Sequence, residues 1–261
     1  MSATSVVREV DLAPPGCGKY TLSLATEAED LRAVQRLRYE VFNLELGEGL
    51  VESHERGLDA DEFDEVCDHL LVREVESGLV VGTYRLQSGR SAGQQLGYYS
   101  AREFDFAPFE PHRAEILELG RACVAKAHRS STVLTLLWKG IAACARRQGL
   151  RYLVGCSSLT SQDPGVGLAV FRQLAGAHLA PAVWRTRPLP AWECRENGPA
   201  SSIPIPRLMA AYLALGARVC GEPALDRDFK TIDFLTWLDL NALAPPVLRK
   251  FFPEGPGRVE S

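Results

Sequence analysis

The sequence predicts an α/β fold: a mixed central sheet with helices on both faces. Three observations carry this. Runs with the two-residue period of strands alternate along the chain with runs of helical period. Two early strand-like runs are separated by Glu76-Ser77-Gly78, a hairpin turn. In the middle, a strand, a helix and a strand follow one another over residues 116–158, and such a unit pairs its two strands in parallel.

Residues 20–25 (YTLSLA) alternate as a first strand. Thr26 and Glu29 form a T-x-x-E capping box, opening a helix with Leu31, Val34, Leu37 and Val41 along one stripe. Residues 43–65 are polar and glycine-punctuated, so a loop or partly mobile lid is expected there. His69–Val75 and Leu79–Gln87 are the hairpin strands. Residues 88–113 read as a connector followed by the aromatic patch Phe104, Phe106 and Phe109. Ile116–Val124 is a compact apolar strand, and Ser130 and Ser131 cap a helix running to about Gln148. Val133, Leu137, Ile141 and Cys144 share one face of that helix, with Lys139 and Arg146 opposite. Tyr152–Ser158 is a short buried strand and Gly165–Ala175 a helix. Residues 181–206 are Pro-rich and irregular, Arg207–Leu215 is a short helix, and Arg218–Cys220 and Phe229–Leu240 are closing strands. The organisation read from this is an extension at 1–19, one domain at 20–240 and a tail at 241–261.

The 261 residues suit one large domain, and 46% hydrophobic with 24% charged residues is ordinary for a soluble globular protein. No apolar run approaches the roughly 18 residues of a membrane span, and the N-terminus has no apolar signal core. A cytoplasmic location is expected. Seven scattered cysteines without a CxxC pair argue against a disulfide framework or a metal site. The net charge is −4 but unevenly spread. Asp59, Asp61, Glu62, Asp64, Glu65 and Asp68 crowd one decapeptide, whereas 122–162 contains no acid and carries Lys126, Arg129, Lys139, Arg146, Arg147 and Arg151. A basic stretch in an acidic chain points to an anionic partner, though not to nucleic acid. Chance clustering of solvated charges would look the same.

Lys126 and Arg129 precede a helix that opens at Ser130-Ser131, and a helix N-terminus with flanking cations suits a phosphate such as that of phosphopantetheine. An ordinary capped helix has the same sequence. Glu118 and Arg121 are three apart on a strand and face opposite sides unless Gly120 permits a bulge. Glu118 would then take a proton from an attacking amine, or be a buried ion-pair partner without chemistry. Arg85, inside a strand, needs an acid: Asp64, Asp68 or Glu118. Ser157 and Ser158 end a strand but lack the G-x-S-x-G frame, so no covalent mechanism is expected.

Six segments occur in order: Arg38-Tyr39-Glu40-Val41-Phe42; Asp64-x-x-x-Asp68-His69-Leu70; Val81-Gly82-Thr83-Tyr84-Arg85-Leu86; Glu118-Leu119-Gly120-Arg121; Tyr212-Leu213-x-Leu215-Gly216-Ala217; and Asp226-Arg227-Asp228-Phe229-Lys230-Thr231-x-Asp233-Phe234. Together they resemble the ornithine-lipid N-acyltransferase family, which is similar to acyl-homoserine-lactone synthases. The resemblance implies a GNAT-like fold and transfer of a 3-hydroxyacyl chain from acyl carrier protein to the α-amine of ornithine, giving lyso-ornithine lipid. It implies no bound cofactor or metal, since acyl-phosphopantetheine is the donor substrate. It also implies a polar cluster of Arg38, Phe42, Asp64, Arg85, Glu118 and Arg121.

On this basis Glu118, Arg121 and Arg85 are the catalytic candidates. Arg38, Phe42, Asp64, His69 and Ser157 are candidates for substrate binding. Val124, Lys126, Arg129, Ser131, Arg146 and Arg147 are candidates for the phosphopantetheine arm and its carrier. The glycine-rich loop that cradles a coenzyme A pyrophosphate is absent, because the loop reads Val124-Ala125-Lys126-Ala127-His128-Arg129; this favours a carrier protein with its single phosphate. Asp226 or Asp228 either select a second ammonium on the acceptor or close a hairpin. The aromatic patch covers the acyl chain or, more simply, packs the core. The basic, aromatic tail Val247–Phe252 either touches a membrane or packs. Two other functions fit the same residues: synthesis of an acyl-homoserine lactone or another N-acyl amino acid, and carrier binding without turnover.

Overall fold

Alternation at the start of the chain turns Tyr20 and Leu22 inward on β1 (Tyr20–Leu24). The structure, a computed structural model, describes residues 18–195 and 204–251. Helix α1 (Ala28–Tyr39) is opened by a capping box one residue later than the sequence suggests. Glu27 and Asp30 form it, and the Asp30 carboxylate accepts the N–H groups of Thr26 (3.2 Å) and Glu27 (3.4 Å).

The expected loop or lid at 43–65 is instead a train of ordered elements. α1 continues into a π-helical stretch, Glu40–Leu46, which closes on Gly47 at φ +70°. A single turn, α2 (Ser53–Arg56), and a 3-10 turn at Glu62–Glu65 follow. The segment is held because its acids turn inward: Asp59 and Asp64 are buried.

Strands β2 (Asp68–Glu74) and β3 (Val80–Ser88) form the expected hairpin. A short helix α3 (Gly89–Gln94), not foreseen, leads through irregular turns to β4 (Ile116–Val124). Helix α4 (Ser131–Gln148) starts after Ser130, whose side chain makes no capping bond. β5 (Tyr152–Leu159), α5 (Pro164–His178) and α6 (Arg207–Leu215) come next. The chain closes with β6 (Arg218–Val219), β7 (Ala224–Asp226), β8 (Thr231–Asp239) and α7 (Pro245–Phe251). β7 was not foreseen either, because three residues are too few to show a period.

The eight strands of the described residues belong to one mixed sheet, ordered β1-β2-β3-β4-β5-β8-β6, with β7 also on β8. β4 and β5 are parallel, as the central unit requires; the other pairings are antiparallel. One face carries Leu70, Leu86, Leu117 and Leu153 under Val133, Leu137 and Ile141 of α4. α7 joins this layer, with Phe251 against Trp138 (ring centroids 5.9 Å), so the apolar part of the tail packs within the described residues; Phe252 lies outside them. On the other face Phe104, Phe106 and Phe109 pack with Trp184 and Trp237, so the aromatic patch is core.

Two irregularities shape the sheet. β4 and β5 pair only through Ile116↔Tyr152, Leu117↔Leu153 and Glu118↔Val154, then diverge. Where they part, Gly155 passes so close to β4 that a Cβ would lie 2.1 Å from the Leu119 carbonyl oxygen. The second is a bulge: Thr83 faces Cys123 and Arg85 faces Gly120, so Arg121 and Ala122 together oppose Tyr84. The bulge reverses the inside-outside phase of β4. Leu117 and Leu119 lie on the α4 face before it; Ala122 and Val124 lie there after it. The left-handed residue is Arg121, at φ +48°, not Gly120.

Gly155→Ala is expected to force β4 and β5 apart and lower stability by about 1–3 kcal/mol, read from urea unfolding midpoints. An unchanged midpoint would show that the close approach is not a constraint.

Candidate active site

Because β4 and β5 diverge, the sheet opens into a cleft of about 820 Å³ that runs between them. Its lining is of two kinds. Leu134, Leu137 and Trp138 of α4 with Met209 and Tyr212 of α6 supply apolar surface. Glu118 and the acids Glu48, Asp226 and Asp233 supply carboxylates.

Glu118 is 4% exposed. Its two oxygens accept the N–H groups of Tyr99 (2.9 Å) and Ser100 (2.8 Å), which fixes the carboxylate in one orientation. Burial raises its pKa above the ordinary carboxylate value, and the two backbone donors only partly oppose this. Gln87, across from Glu118 on β3, is buried with neither amide atom partnered among the described residues.

The three arginines read from the sequence meet three aspartates. Arg38 Nε reaches Asp59 Oδ1 (2.8 Å), and its Nη1 and Nη2 grip Asp64 Oδ1 (3.0 Å) and Oδ2 (2.6 Å). Arg85 Nη1 donates to Asp61 Oδ1 (2.5 Å) and Asp64 Oδ1 (3.0 Å). Arg121 donates from Nε to Asp59 Oδ1 (3.2 Å) and from Nη2 to Asp61 Oδ2 (3.1 Å). Between Arg85 and Arg121 lies the Tyr99 ring, 5.0 and 4.8 Å from the two guanidinium carbons. Burial pushes Asp61 and Asp64 up, but the arginine charges outweigh it and hold both below the ordinary carboxylate range. Arg85 therefore pairs with Asp61 and Asp64, not with Asp68 or Glu118.

The bulge brings Arg121 to the cleft beside Glu118, where Arg85, Phe42 and Ser157 also stand. Arg38, Asp64 and His69, read as substrate-binding, lie behind this wall and are not part of the lining. His69 Nε2 lies 3.2 Å from the Asp64 carbonyl oxygen and so carries the proton; burial lowers the ring's pKa from 6.5 to about 4. Ser157 Oγ is 3.3 Å from Thr236 Oγ1.

The phosphopantetheine candidates separate into two groups. Val124, Arg129 and Ser131 line the cleft, and exposed Lys126 is in the adjoining turn. Val124 sits opposite Gly82, and the flanking Ala125 N–H bonds to Val81 (2.9 Å), so Val124 turns its own N–H and C=O away from β3. Arg129 is already bidentate to Glu45 (2.6 and 2.7 Å) and donates to the Val124 carbonyl (3.1 Å). Arg146 and Arg147 stand in the last turn of α4, about 22 Å along the helix from Ser131. They do not share a phosphate site with it. Arg151 is paired with Asp239, so the acid-free stretch is not one free basic face.

Sequence reasoning missed Glu48, Gln87 and Asp233. Gln87 had a signal, since it shares the face of Arg85 on an otherwise apolar strand. Glu48 had none: its place depends on the π-helical stretch and on the Gly49 N–H bond to the Phe229 carbonyl (2.9 Å).

The fold and the cleft define an acyltransferase of the GNAT class. Residues 37–139 match the acetyltransferase (GNAT) domain family. FeeM, an N-acyl amino acid synthase from uncultured soil microbes, has a similar fold, with a TM-score of 0.53 at 11% identity over 86% of this chain and 92% of that one. The L-ornithine N(alpha)-acyltransferase of Rhodobacter capsulatus is 34% identical over 86% of this chain and 92% of its own length. That of Brucella abortus is 33% identical over 87% of this chain and 86% of its own. The chain belongs to this family of acyltransferases. No helix among the described residues is long and apolar enough to cross a membrane.

Arg38→Met is expected to cost about 3–5 kcal/mol, because it leaves three buried carboxylates to share the charges of Arg85 and Arg121 alone. Urea unfolding measures this, and a loss below about 1 kcal/mol would deny the cluster its structural role. His69 predicts the acid limb of stability. Its folded pKa is depressed, so the unfolded chain binds the extra proton. Stability is complete above pH 6.5 and falls as the pH drops towards about 4. His69→Asn should flatten that limb in unfolding midpoints taken across the same window.

Proposed function

We infer that the protein transfers a 3-hydroxyacyl chain from acyl carrier protein to the α-amine of ornithine, releasing lyso-ornithine lipid. The observation that carries this reading is the make-up of the cleft: apolar side chains from α4 and α6, the fixed buried carboxylate of Glu118, and three further acids. The names of the relatives from Rhodobacter capsulatus and Brucella abortus support ornithine as acceptor.

In this mechanism the phosphopantetheine arm lies between the diverging β4 and β5. Its thioester carbonyl takes a hydrogen bond from the outward-facing Val124 N–H, which stabilises the oxyanion that forms. The acyl chain runs along Leu134, Leu137 and Met209. Glu118 removes a proton from the α-ammonium, directly or through water. The free amine attacks the carbonyl carbon, the C–N bond forms, and the tetrahedral intermediate expels the thiolate as the C–S bond breaks. The nitrogen, cationic after the attack, sheds its second proton, and the departing thiolate takes it up.

Arg85 Nη2 is buried without a hydrogen-bond partner among the described residues and suits the acceptor's α-carboxylate. Arg38 and Asp64 act on the substrate only by holding Arg85 and Arg121 in place. The turn at 124–129, lacking glycine, together with Ser131 at the start of α4, favours the single phosphate of a carrier protein over a pyrophosphate. Leu44, 61% exposed, and the cleft-lining Leu46, 38% exposed, support peripheral contact with the cytoplasmic membrane face, where an amphiphilic product would leave.

Purified protein with 3-hydroxyacyl carrier protein and mixed amino acids should yield N-acylornithine by mass spectrometry. Glu118→Ala should lower kcat on the order of 10²-fold or more. Since Glu118 must be ionised and its pKa is raised, kcat/KM should climb with pH through a limb above the ordinary carboxylate range. That limb should vanish in the variant. Carrier binding without product for any amine would replace this reading with a binding module.

A further inference from the structure

A cluster of acids in the cleft is left unexplained by the acyl-transfer chemistry. Glu48, Asp226 and Asp233 come from three separate places: the turn after the π-helical stretch, the end of β7, and β8. They are 5%, 4% and 5% exposed, and all three line the cleft. Behind Asp233 stands a fourth acid, Glu103, 1% exposed and outside the lining. Burial first, and then the charges of Asp233 and Asp226, raise Glu103 well above its ordinary value; it is the protonated partner of Asp233.

Among the described residues no ion pair is made by the three lining carboxylates. The charge of Arg121 reaches Asp226, but that guanidinium is already held by Asp59 and Asp61. Burial raises all three acids above their ordinary values, and a cation bound among them would relieve that cost. The decisive atom is Asp233 Oδ1, buried and without a hydrogen-bond partner among the described residues, although Ser158, Glu103 and Thr231 stand beside the carboxylate as a whole. The other two carboxylates are already oriented. Thr160 donates to Glu48, and the N–H groups of Asp228 and Phe229 donate to Asp226 Oδ1 (2.9 and 2.8 Å). Asp226 thus closes the hairpin and faces the cleft at once, while Asp228 is exposed.

We propose that Glu48, Asp226 and Asp233 form a binding site for the side-chain ammonium of a diamino acid acceptor, and that Asp233 Oδ1 takes one of its N–H bonds. An ammonium is a compact charge with three donors, which three converging carboxylates satisfy. The site rests on the reading of the cleft as an amine N-acyltransferase and deepens it. One ammonium is held in the acid pocket, and only the other is left near Glu118. The same arrangement explains how a diamino substrate is acylated at one nitrogen, and it excludes acceptors with a neutral side chain. Glu103, Cys156 and Asp233 also bring possible metal ligands within 4.8 Å of one another, so a divalent metal is the competing occupant.

The test sets ornithine against norvaline, the analogue without the terminal amine, in wild type, Asp233→Asn and Glu48→Gln, with product read by mass spectrometry. Wild type should favour ornithine on the order of 10²-fold or more in kcat/KM. Each substitution should cut that ratio by roughly 30-fold. A wild-type ratio near one, a ratio unmoved by both substitutions, or a parallel fall for both acceptors overturns the proposal. The two substitutions lie on different elements, so misfolding of one leaves the other to decide. Thermal unfolding gives a second reading. Ornithine but not norvaline should raise the wild-type melting temperature, and Asp233→Asn should abolish the rise. A rise with Mg²⁺, Mn²⁺ or Zn²⁺ alone, abolished by the same substitution, overturns the ammonium site in favour of a metal. If wild type acylates no amine, the proposed function falls, and the melting comparison alone decides whether the ammonium site stands.

Discussion

Three buried arginines locked to three buried aspartates organise the molecule around its cleft. Arg38 comes from α1, Arg85 from β3 and Arg121 from β4; Asp59, Asp61 and Asp64 come from the one segment between α1 and β2. The six charges cancel, which makes their burial tolerable, and every carboxylate serves more than one guanidinium or amide. The segment 40–65 is therefore a wall and not a lid. Its position in turn delivers Glu48 to the cleft.

The cluster also supports an unfavourable backbone. Arg121 adopts a left-handed conformation that costs a non-glycine residue on the order of 1–3 kcal/mol. Its two aspartate bonds and its packing at 4.4 Å from the Phe229 ring hold it there. The result is a phase change in β4. Before the bulge Glu118 faces the cleft; after it Val124 turns its backbone away from β3. One extra residue thus places a base and a carbonyl-polarising N–H on the same strand with different orientations.

With Arg38, Arg85 and Arg121 largely neutralised, the electrostatic character of the cleft is set by carboxylates. Glu118 is anchored by two backbone donors. Glu48, Asp226 and Asp233 share the same cleft. α4 and α6 give it apolar surface, and Tyr84 shares a hydrogen bond with Tyr212 there. A long acyl group and a dicationic amino acid are chemically opposite ligands, and the cleft offers both kinds of lining. Arg85 Nη2 and Asp233 Oδ1, each without a partner among the described residues, are groups of opposite sign in the wall of one cavity.

Periodicity alone determined the hairpin of β2 and β3, the strand 116–124, the parallel partner of that strand and α6, because each is long enough to repeat its pattern and each pattern matches the face it buries. The residues of the polar cluster were also legible, since arginine inside an apolar strand demands an acid. Which acids answered was not: Asp59 and Asp61 are distant in sequence from Arg121, and only the folded chain brings them together. The π-helical stretch, the three-residue β7 and the left-handed Arg121 had no local signature. The acid pocket was legible only at Asp226, read as a possible partner of a second ammonium. Glu48 and Asp233 carried no such signal, because their shared chemistry arises from long-range packing that draws three segments to one cleft.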